Sequence, residues 1–383
     1  MTPPAARLAA LGRALLPPRR RPVAIVDAEA AGDLLPYVRE GAATIVDLRR
    51  AHLNAWVLAR TLLRGRRSML DYAAAYLRAV KPSVVLTMID TTPLFYRLKA
   101  RWPSATYISV QNGWRGHEFV RDLHADGDEP LVADHVLCFG EAAAGLFRAH
   151  IDAEPVLIGS LRNNAAPQGR PQTGPDTVAL ISTLRDKVDL DSWMVGYGGE
   201  PLVRYREVFE RRLTFASWVA EFSRSAGLHL RVVGKDLDSP RERGFYRDLL
   251  GPEGDGWSFA ARRGPHSSYE EISRARIVVS TSSTLGYEAL ARGIRTAFFM
   301  LDAELPGRFG DRFGWPLPLG DDGPLWANRL DRDAVAGVLG RLHRMDDDEW
   351  SRALRDWVPR LIDHDPGNTR LCALLGSLGV GRP

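Results

Sequence analysis

The sequence predicts an α/β protein made of two doubly wound domains, each with a parallel β-sheet. Its 383 residues are too many for one typical hydrophobic core and suit two domains. Short β-branched runs alternate with longer amphipathic segments, which is typical of parallel strands joined by crossover helices. Residues 163–176 are rich in Pro, Gly, Asn and Gln and predict a linker between the domains.

The first domain is predicted to span residues 1–162. Residues 53–80 form one long helical segment, and its apolar period lapses only at residues 64–67. The predicted strands are residues 23–27, 44–48, 83–89, 106–110, 135–139 and 155–158.

The second domain is predicted to span residues 177–345. Residues 346–383 are predicted to form C-terminal helices that pack back on the first domain, and residues 302–324 form a Gly/Pro-rich loop. The predicted strands are residues 177–181, 228–233, 257–260, 276–280 and 295–299, and the predicted helices before the loop are residues 205–226, 240–249, 267–274 and 285–292.

The composition excludes several classes of protein. The formal charge is +4, and the sequence lacks the basic stripe with interleaved aromatic residues that would predict a nucleic-acid partner. No segment has the ~20 apolar residues that span a bilayer, and Cys138 and Cys372 fit a reducing cytoplasm. Arginines cluster at residues 19–21 and 64–67. These clusters are consistent either with a solvated surface or with a contact to anionic lipid. We therefore expect a cytoplasmic protein, with peripheral association at the inner membrane face as a further expectation.

Several signature motifs are missing from the sequence. The P-loop GxxxxGK[ST] does not occur, which disfavours a P-loop phosphotransferase, and no GxGxxG follows the first strand, which disfavours a dinucleotide redox enzyme. The sequence has no HExxH motif, no Cys/His cluster and no DxD pair at a strand end, so no motif indicates a metal site. We predict neither a metal nor a cofactor.

The most informative segment joins the strand at residues 276–280 to the next helix. Ser282, Ser283 and Thr284 place hydroxyl groups beside the unpaired N–H groups of a helix N-terminus, which is an anion site. Gly286 is predicted to let a phosphate approach the backbone, and Glu288 to accept hydrogen bonds from a ribose diol. The alternative is an ordinary N-cap in which Glu288 completes a capping box.

Three other strand ends of the second domain carry candidate ligands. We expect Arg185, Lys235 and His266 to converge on the same edge of the sheet as the hydroxyl turn, where cations suit a diphosphate. As single residues, Lys235 and His266 are equally consistent with a solvated surface.

Strand ends of the first domain carry candidates for acceptor chemistry. Asp90 is a candidate general base or nucleophile, with helix capping as the alternative. Gln111 and Asn112 suit sugar hydroxyls, Arg115 suits a carboxylate or phosphate, and His117 is a further acid–base candidate. The alternative for Asn112 and Gly113 is an ordinary turn.

Three stretches resemble the O-antigen and surface-carbohydrate biosynthesis proteins: KPSVVLTMIDTTPLFYRLKARWPSATYISVQNGWRG, SYEEISRARIVVSTSSTLGYEALARGIRTAFF and FGWPLPLGDDGPLWAN. The resemblance implies a GT-B-like fold of two Rossmann-like domains facing a central cleft. It implies acceptor binding by Gln111, Asn112 and Arg115, with Asp90 and His117 as catalytic residues. It implies nucleotide-sugar binding by the second domain, through Arg185, Lys235, His266, Ser282, Ser283, Thr284, Gly286 and Glu288.

The expected function is a metal-independent glycosyltransferase of surface polysaccharide synthesis, with O-antigen, lipopolysaccharide and capsule as the polymer classes. Its partners would be a nucleotide sugar and a glycan or lipid-linked glycan acceptor. The alternatives are a polyol-phosphate transferase, a nucleotide-sugar epimerase of the same fold, and a non-catalytic partner subunit of a polysaccharide-synthesis complex.

Overall fold

Buried runs of β-branched and aromatic residues form the central strands of two separate sheets. The computed structural model describes residues 15–48, 53–125, 127, 129–168, 176–184, 188–195, 201–237, 239–305 and 312–382. Val84–Thr87 and Ile277–Ser280 are buried at every position, as expected for parallel strands covered on both sides.

Two compact units divide the chain. The first comprises Met1–Asn112, Phe119–Asn164 and Asp365–Pro383, and the second comprises Gly113–Glu118 and Ala165–His364. The boundary after Asn164 lies inside the predicted linker, and residues 169–175 of that linker lie outside the described residues.

The first unit has a six-stranded sheet in the order β2-β1-β3-β4-β5-β6. Every pairing in it is parallel. Its strands are Val23–Val26 (β1), Ala43–Val46 (β2), Val84–Thr87 (β3), Thr106–Val110 (β4), Val132–Cys138 (β5) and Asp152–Leu157 (β6).

The second unit has a six-stranded sheet in the order β11-β10-β7-β12-β13-β14, again parallel throughout. Counted within the unit, this is the doubly wound order 3-2-1-4-5-6 of dinucleotide-binding folds. A hairpin of β8 and β9 stands apart from it. The strands are Thr177–Ile181 (β7), Trp193–Val195 (β8), Pro201–Arg204 (β9), His229–Leu237 (β10), Trp257–Arg262 (β11), Ile277–Ser280 (β12), Thr296–Phe299 (β13) and Trp326–Ala327 (β14).

One of the predicted helices is divided in two. The segment predicted as one long helix is two helices, because Gly65 adopts a positive φ of 72° where the apolar period lapses. The helices are Ala28–Leu34 (α1), Ala55–Leu63 (α2), Met69–Val80 (α3), Pro93–Arg101 (α4), His117–His124 (α5), Glu141–His150 (α6), Leu161–Ala165 (α7), Tyr205–Ser225 (α8), Pro240–Leu250 (α9), Ser267–Ser273 (α10), Thr284–Ala291 (α11), Arg332–Arg344 (α12), Asp347–Leu361 (α13) and Thr369–Ser377 (α14), with a 3₁₀ turn at Leu35–Tyr37.

The C-terminal helices belong to different units. Leu371 and Leu375 of α14 lie in the core of the first unit. A buried pair supports this packing, since Asn164 Nδ2 donates to Asn368 Oδ1 at 2.9 Å. Helix α13 belongs to the second unit, where Trp350 donates its indole N–H to the carbonyl of Gly293. In the described part of the chain, no helix is both long enough and apolar enough to cross a bilayer.

Candidate functional site

The strand order of the second unit locates the place where a ligand would bind. From β7 the chain winds outward to β10 and β11 and then returns to β12 on the other side of β7. In open α/β sheets, ligands bind beyond the carboxyl ends of the two strands at this switch point. The loops after Ile181 and Ser280 therefore line the candidate site. Hydroxyl groups of Thr183 and Thr281 join these loops, with their Oγ1 atoms 3.2 Å apart.

The turn after β12 presents hydroxyl groups at a helix N-terminus, as the sequence predicts. Ser282 is exposed, and Ser283 and Thr284 are half-buried. Ser283 is the N-cap of α11 and accepts from the N–H of Leu285 at 3.3 Å. The capping-box alternative is wrong, because the third helical residue is Gly286 rather than Glu288. Helix α11 thus begins at the switch point with its positive dipole end.

Gly286 has a packing role that the sequence did not predict, and its predicted contact with a phosphate stays a prediction. A Cβ at this position would lie 2.4 Å from both Cβ and Oγ of Ser280 and 3.1 Å from the ring of Phe298. The position is buried against β12 and β13. Glycine is therefore required for close packing of α11 on the sheet, which alone explains the residue without a phosphate.

Glu288 lies inside the second unit and has a protein partner. Its side chain is 5% exposed, and its carboxylate accepts from the hydroxyl of Tyr269 at 3.0 Å. Arg292 lies over the ring of Tyr269, 5.0 Å from the centroid, and burial lowers the pKa of this guanidinium. The predicted ribose contact of Glu288 stays a prediction.

Residues Gly113–Glu118 belong to the second unit, although the chain on either side belongs to the first. The N–H of Trp114 donates to Thr284 Oγ1 at 3.0 Å, at the first turn of α11. A Cβ on Gly113 would lie 3.3 Å from the same hydroxyl and 3.7 Å from Nη1 of Arg115. The guanidinium that we expected among the acceptor-binding residues thus lies in the same unit as the predicted anion site, close to the helix N-terminus.

An aromatic stack holds this segment in place. The ring of Trp114 stacks on Tyr287 with centroids 3.8 Å apart and planes 4° apart. Tyr287 stacks on Phe313, and Phe313 stacks on Trp326. The loop at residues 313–326 packs against α11 and supplies two of these rings.

Two residues that the sequence did not single out complete the switch point. Arg212 of α8 donates Nε to Thr183 Oγ1 at 2.9 Å and pairs through Nη2 with Asp302 at 2.7 Å. Asp302 is 5% exposed and follows β13. An acid after a strand was a usable signal for Asp302. Arg212 gives no such signal, since it lies in the middle of a long helix.

Lys235 lies within a strand rather than beyond its end. Strand β10 continues to Leu237 with an irregular register after Val233, so the predicted end at residue 233 was too early. The N–H of Lys235 donates to the buried carboxylate of Glu242 at 3.1 Å. The half-buried side chain of Lys235 remains a candidate cation for binding a diphosphate.

Burial raises the pKa of Glu242, although hydrogen bonds from Ser182 and from the N–H groups of Lys235 and Asp236 oppose the shift. The native state then keeps this proton to a higher pH than the unfolded state. The free energy of unfolding should therefore fall as the pH rises from the ordinary pKa of a glutamate through the raised pKa of Glu242. The fall should be about 1.4 kcal/mol for every tenfold difference between the acid dissociation constants of the unfolded and native states. We expect Glu242→Gln to remove this fall in urea unfolding measured across pH. Parallel pH curves for the two proteins would contradict the prediction.

For two other residues predicted to bind the nucleotide, Arg185 and His266, the structure shows no contact that bears on that role. Arg185 lies outside the described residues. His266 precedes α10 as its N-cap residue, is half-buried, and makes no side-chain capping bond. Its predicted contact with a nucleotide stays a prediction.

In the first unit, Asp90, Gln111 and Asn112 are brought together by neighbouring strand ends. The carboxylate of Asp90 has 0% exposure and accepts from the N–H of Asn112 at 3.2 Å. It does not cap α4, whose N-cap is Thr92. Gln111 Oε1 accepts from the N–H of Phe139 at 2.8 Å, so this buried amide joins two strand ends. His117 begins α5, and its side chain lies outside the description.

Asp27 is a further strand-end acid that the sequence analysis did not single out. It follows β1, is 5% exposed, and adopts φ 79°, a left-handed backbone conformation that a non-glycine residue rarely takes. Its side chain accepts from the N–H of Glu29 at 3.0 Å. Strand β1 adjoins β3, which precedes Asp90, so the two acids follow neighbouring strands. The run VAIVDA gave the same strand-end signal that identified Asp90.

Comparisons with known proteins identify the family and the fold class. The model of a family described as "putative O-antigen biosynthesis protein" matches residues 108–378, more than half of the chain. A structure of S. aureus MnaA with UDP aligns with TM-score 0.53 and 12% identity over 94% of this chain and 97% of that chain. The UDP-GlcNAc 2-epimerase of Methanocaldococcus jannaschii, solved with UDP-GlcNAc and UDP, aligns with TM-score 0.50 and 11% identity over 93% and 98%. No curated protein matches. The GT-B-like fold class of two Rossmann-like domains is confirmed.

Proposed function

This chain belongs to the O-antigen biosynthesis protein family, and from that premise we propose that it is a metal-independent glycosyltransferase. It would move a sugar from a nucleotide-sugar donor to a glycan or lipid-linked acceptor during surface polysaccharide synthesis. The observation that carries the proposal is the hydroxyl-lined turn at the β7–β12 switch point, with the N–H of Trp114 bonded to the first turn of α11 and Arg115 following it in the chain.

The groups at this turn suit a nucleotide phosphate. Its backbone N–H groups and hydroxyls donate hydrogen bonds, and the helix dipole favours a negative charge. A guanidinium can form paired hydrogen bonds with phosphate oxygens. Two proteins of similar fold were solved with UDP or a UDP-sugar, which supports the choice of ligand class.

The same groups would assist the reaction. As the bond to the anomeric carbon breaks, charge develops on the leaving phosphate, and preorganised donors and dipoles stabilise that charge. Asp90 or His117 would take the proton of the acceptor hydroxyl. Among the described residues, no group of three or more His, Cys, Asp or Glu side chains is placed to hold a metal. We assign leaving-group stabilisation to Arg115 and to the N-terminus of α11.

A nucleotide-sugar epimerase is the second candidate, favoured by the similarity of fold to the M. jannaschii epimerase. The two candidates differ in their need for an acceptor. An epimerase converts its nucleotide sugar when no acceptor is present. A glycosyltransferase releases the nucleotide rapidly only when acceptor is added.

Thermal unfolding with CMP, UDP, GDP and dTDP tests the proposed site directly. We expect one nucleotide to raise the melting temperature through its selective binding to the native state. Arg115→Ala should weaken that binding by about tenfold or more, because a hydrogen bond to a charged group contributes about 1.5–3 kcal/mol.

Arg352→Ala is the matched control, since it removes an exposed arginine from α13 of the same unit. It should leave the nucleotide response unchanged. If no nucleotide stabilises the protein, the donor site is refuted and the partner-subunit alternative is favoured. Equal responses of both variants would refute the role of Arg115 alone.

A further inference from the structure

One region of the first unit exposes large apolar side chains far more than the rest of the described chain. Leu63 is 86% exposed, Leu15 64%, Leu16 62%, Leu62 52% and Met69 39%. These five are more than half of the exposed large hydrophobic residues among those that the structure describes. Apolar residues exposed in a group mark an interaction site, whereas scattered ones do not.

Helix α2 exposes two large apolar side chains, Leu62 and Leu63, at its C-terminal end. Its exposed positions include Ala55, Ala59, Leu62 and Leu63, which recur at the spacing of one helical side. The inward side includes Thr61, whose buried hydroxyl donates to the carbonyl of Val57 in the same helix. Val57 is buried on the same side, so α2 packs inward through Val57 and Thr61 while its two leucines stay exposed.

The N-terminal leucines adjoin this helix. Asn54, the N-cap of α2, donates Nδ2 to the carbonyl of Leu16 at 2.9 Å. Farther along, the N–H of Arg21 donates to the carbonyl of Val80 at the end of α3 at 3.2 Å. The segment from Leu15 to Arg21 therefore passes the start of α2 and the end of α3.

Exposed basic residues lie close in sequence to the exposed leucines. Exposed arginines flank them at positions 19, 20, 60, 64, 66 and 67. Residues 53–70 contain no Asp or Glu, and the next acid, Asp71, lies 3.5 Å from Arg66. Arg60 lies over the ring of Trp56, 4.6 Å from its centroid. We call Leu15, Leu16, Leu62, Leu63, Met69 and these six arginines the leucine–arginine surface.

We propose that the leucine–arginine surface binds the headgroup region of an anionic phospholipid bilayer. Exposed leucines of an interfacial helix insert below the headgroups while arginines contact lipid phosphates. A tryptophan beside them fits the interfacial zone where aromatic rings concentrate.

The chemistry of the surface disfavours other occupants. A second copy of the chain across a two-fold axis would bring the same arginines against each other, which is costly for like charges. A nucleic acid would match the arginines but leave the leucines in water. The proposal is independent of the proposed reaction, since binding to vesicles requires no turnover.

Co-sedimentation with vesicles tests the surface in the full chain. Vesicles of phosphatidylethanolamine with phosphatidylglycerol should bind the protein, and vesicles of phosphatidylcholine should bind it far less. Raising the NaCl concentration should weaken the binding through screening. Leu62→Gln with Leu63→Gln, and separately Arg64→Glu with Arg67→Glu, should each reduce the partition constant by about tenfold or more.

Matched variants from the second unit serve as controls. Leu237→Gln removes a leucine that is 67% exposed, and Arg352→Glu with Arg355→Glu reverses two exposed charges of α13. These should bind like the unaltered protein. Equal binding by all variants, equal binding to both vesicle types, or no binding at low salt would overturn the proposal. A dimer in light scattering that the Leu62–Leu63 variant dissociates, without vesicle binding, would identify a second copy as the occupant.

Discussion

Replacing Asp90 by Asn is expected to lower the rate of sugar transfer by about 10²–10⁴-fold, the usual contribution of a general acid or base. The substitution keeps the size of the side chain, and its amide oxygen can still accept from the N–H of Asn112. It removes the carboxylate that would take the acceptor proton. The fold and the nucleotide response should therefore persist while kcat, measured with donor and acceptor at saturation, falls.

The control for Asp90 is Asp122→Asn, which alters an exposed acid of α5. It should leave kcat unchanged. An Asp90→Asn protein that folds and transfers sugar at the original rate would show that Asp90 positions the Gln111–Asn112 turn and takes no proton. Loss of nucleotide binding along with kcat would point to a structural effect instead.

Replacing Gly286 by Ala should lower the free energy of unfolding by about 3 kcal/mol, near the upper end for overpacking a core. The added methyl would lie 2.4 Å from two atoms of Ser280, which is itself fully buried and part of β12. Neither the strand nor the start of α11 can move without disturbing the other. Urea unfolding measures the effect.

Gly337→Ala is the matched control because Gly337 is an exposed helical glycine of α12 with no atom within 4 Å of an added Cβ. It should stabilise the protein by about 0.5–1 kcal/mol through helix propensity and reduced chain entropy. If Gly286→Ala unfolds like the unaltered protein but no longer responds to nucleotide, the predicted contact with phosphate was right and the packing role is wrong.

The sheets were predictable because their strands are short apolar runs between helices of clear period. The same reasoning missed β14, since Trp326–Ala327 forms only two residues of strand, and its pairing with Phe298 and Phe299 depends on contacts distant in sequence. It also missed the β8–β9 hairpin, where Trp193–Val195 is too short to show an alternating pattern.

The candidate site was predictable only where it depends on strand ends. The hydroxyl turn before α11 follows a strand in the sequence, so its place at the sheet edge followed from the α/β pattern. The position of Trp114 did not follow, because a stack on Tyr287 joins residues far apart in the chain. Arg212 likewise acts through Thr183 and Asp302, which only tertiary packing brings to it.

The chain passes from one unit to the other after Asn112, Glu118, Asn164 and His364. A single recombination breakpoint between related genes therefore cannot exchange one unit intact. In a chimaera joined near residue 164, Tyr287 would come from one parent and residues 113–118, with the Trp114 that stacks on it, from the other. Helix α14 would also come from a different parent than the core of the first unit into which it packs. Exchanging the second unit intact between such proteins requires residues 113–118 to travel with it and residues 365–383 to remain with the first.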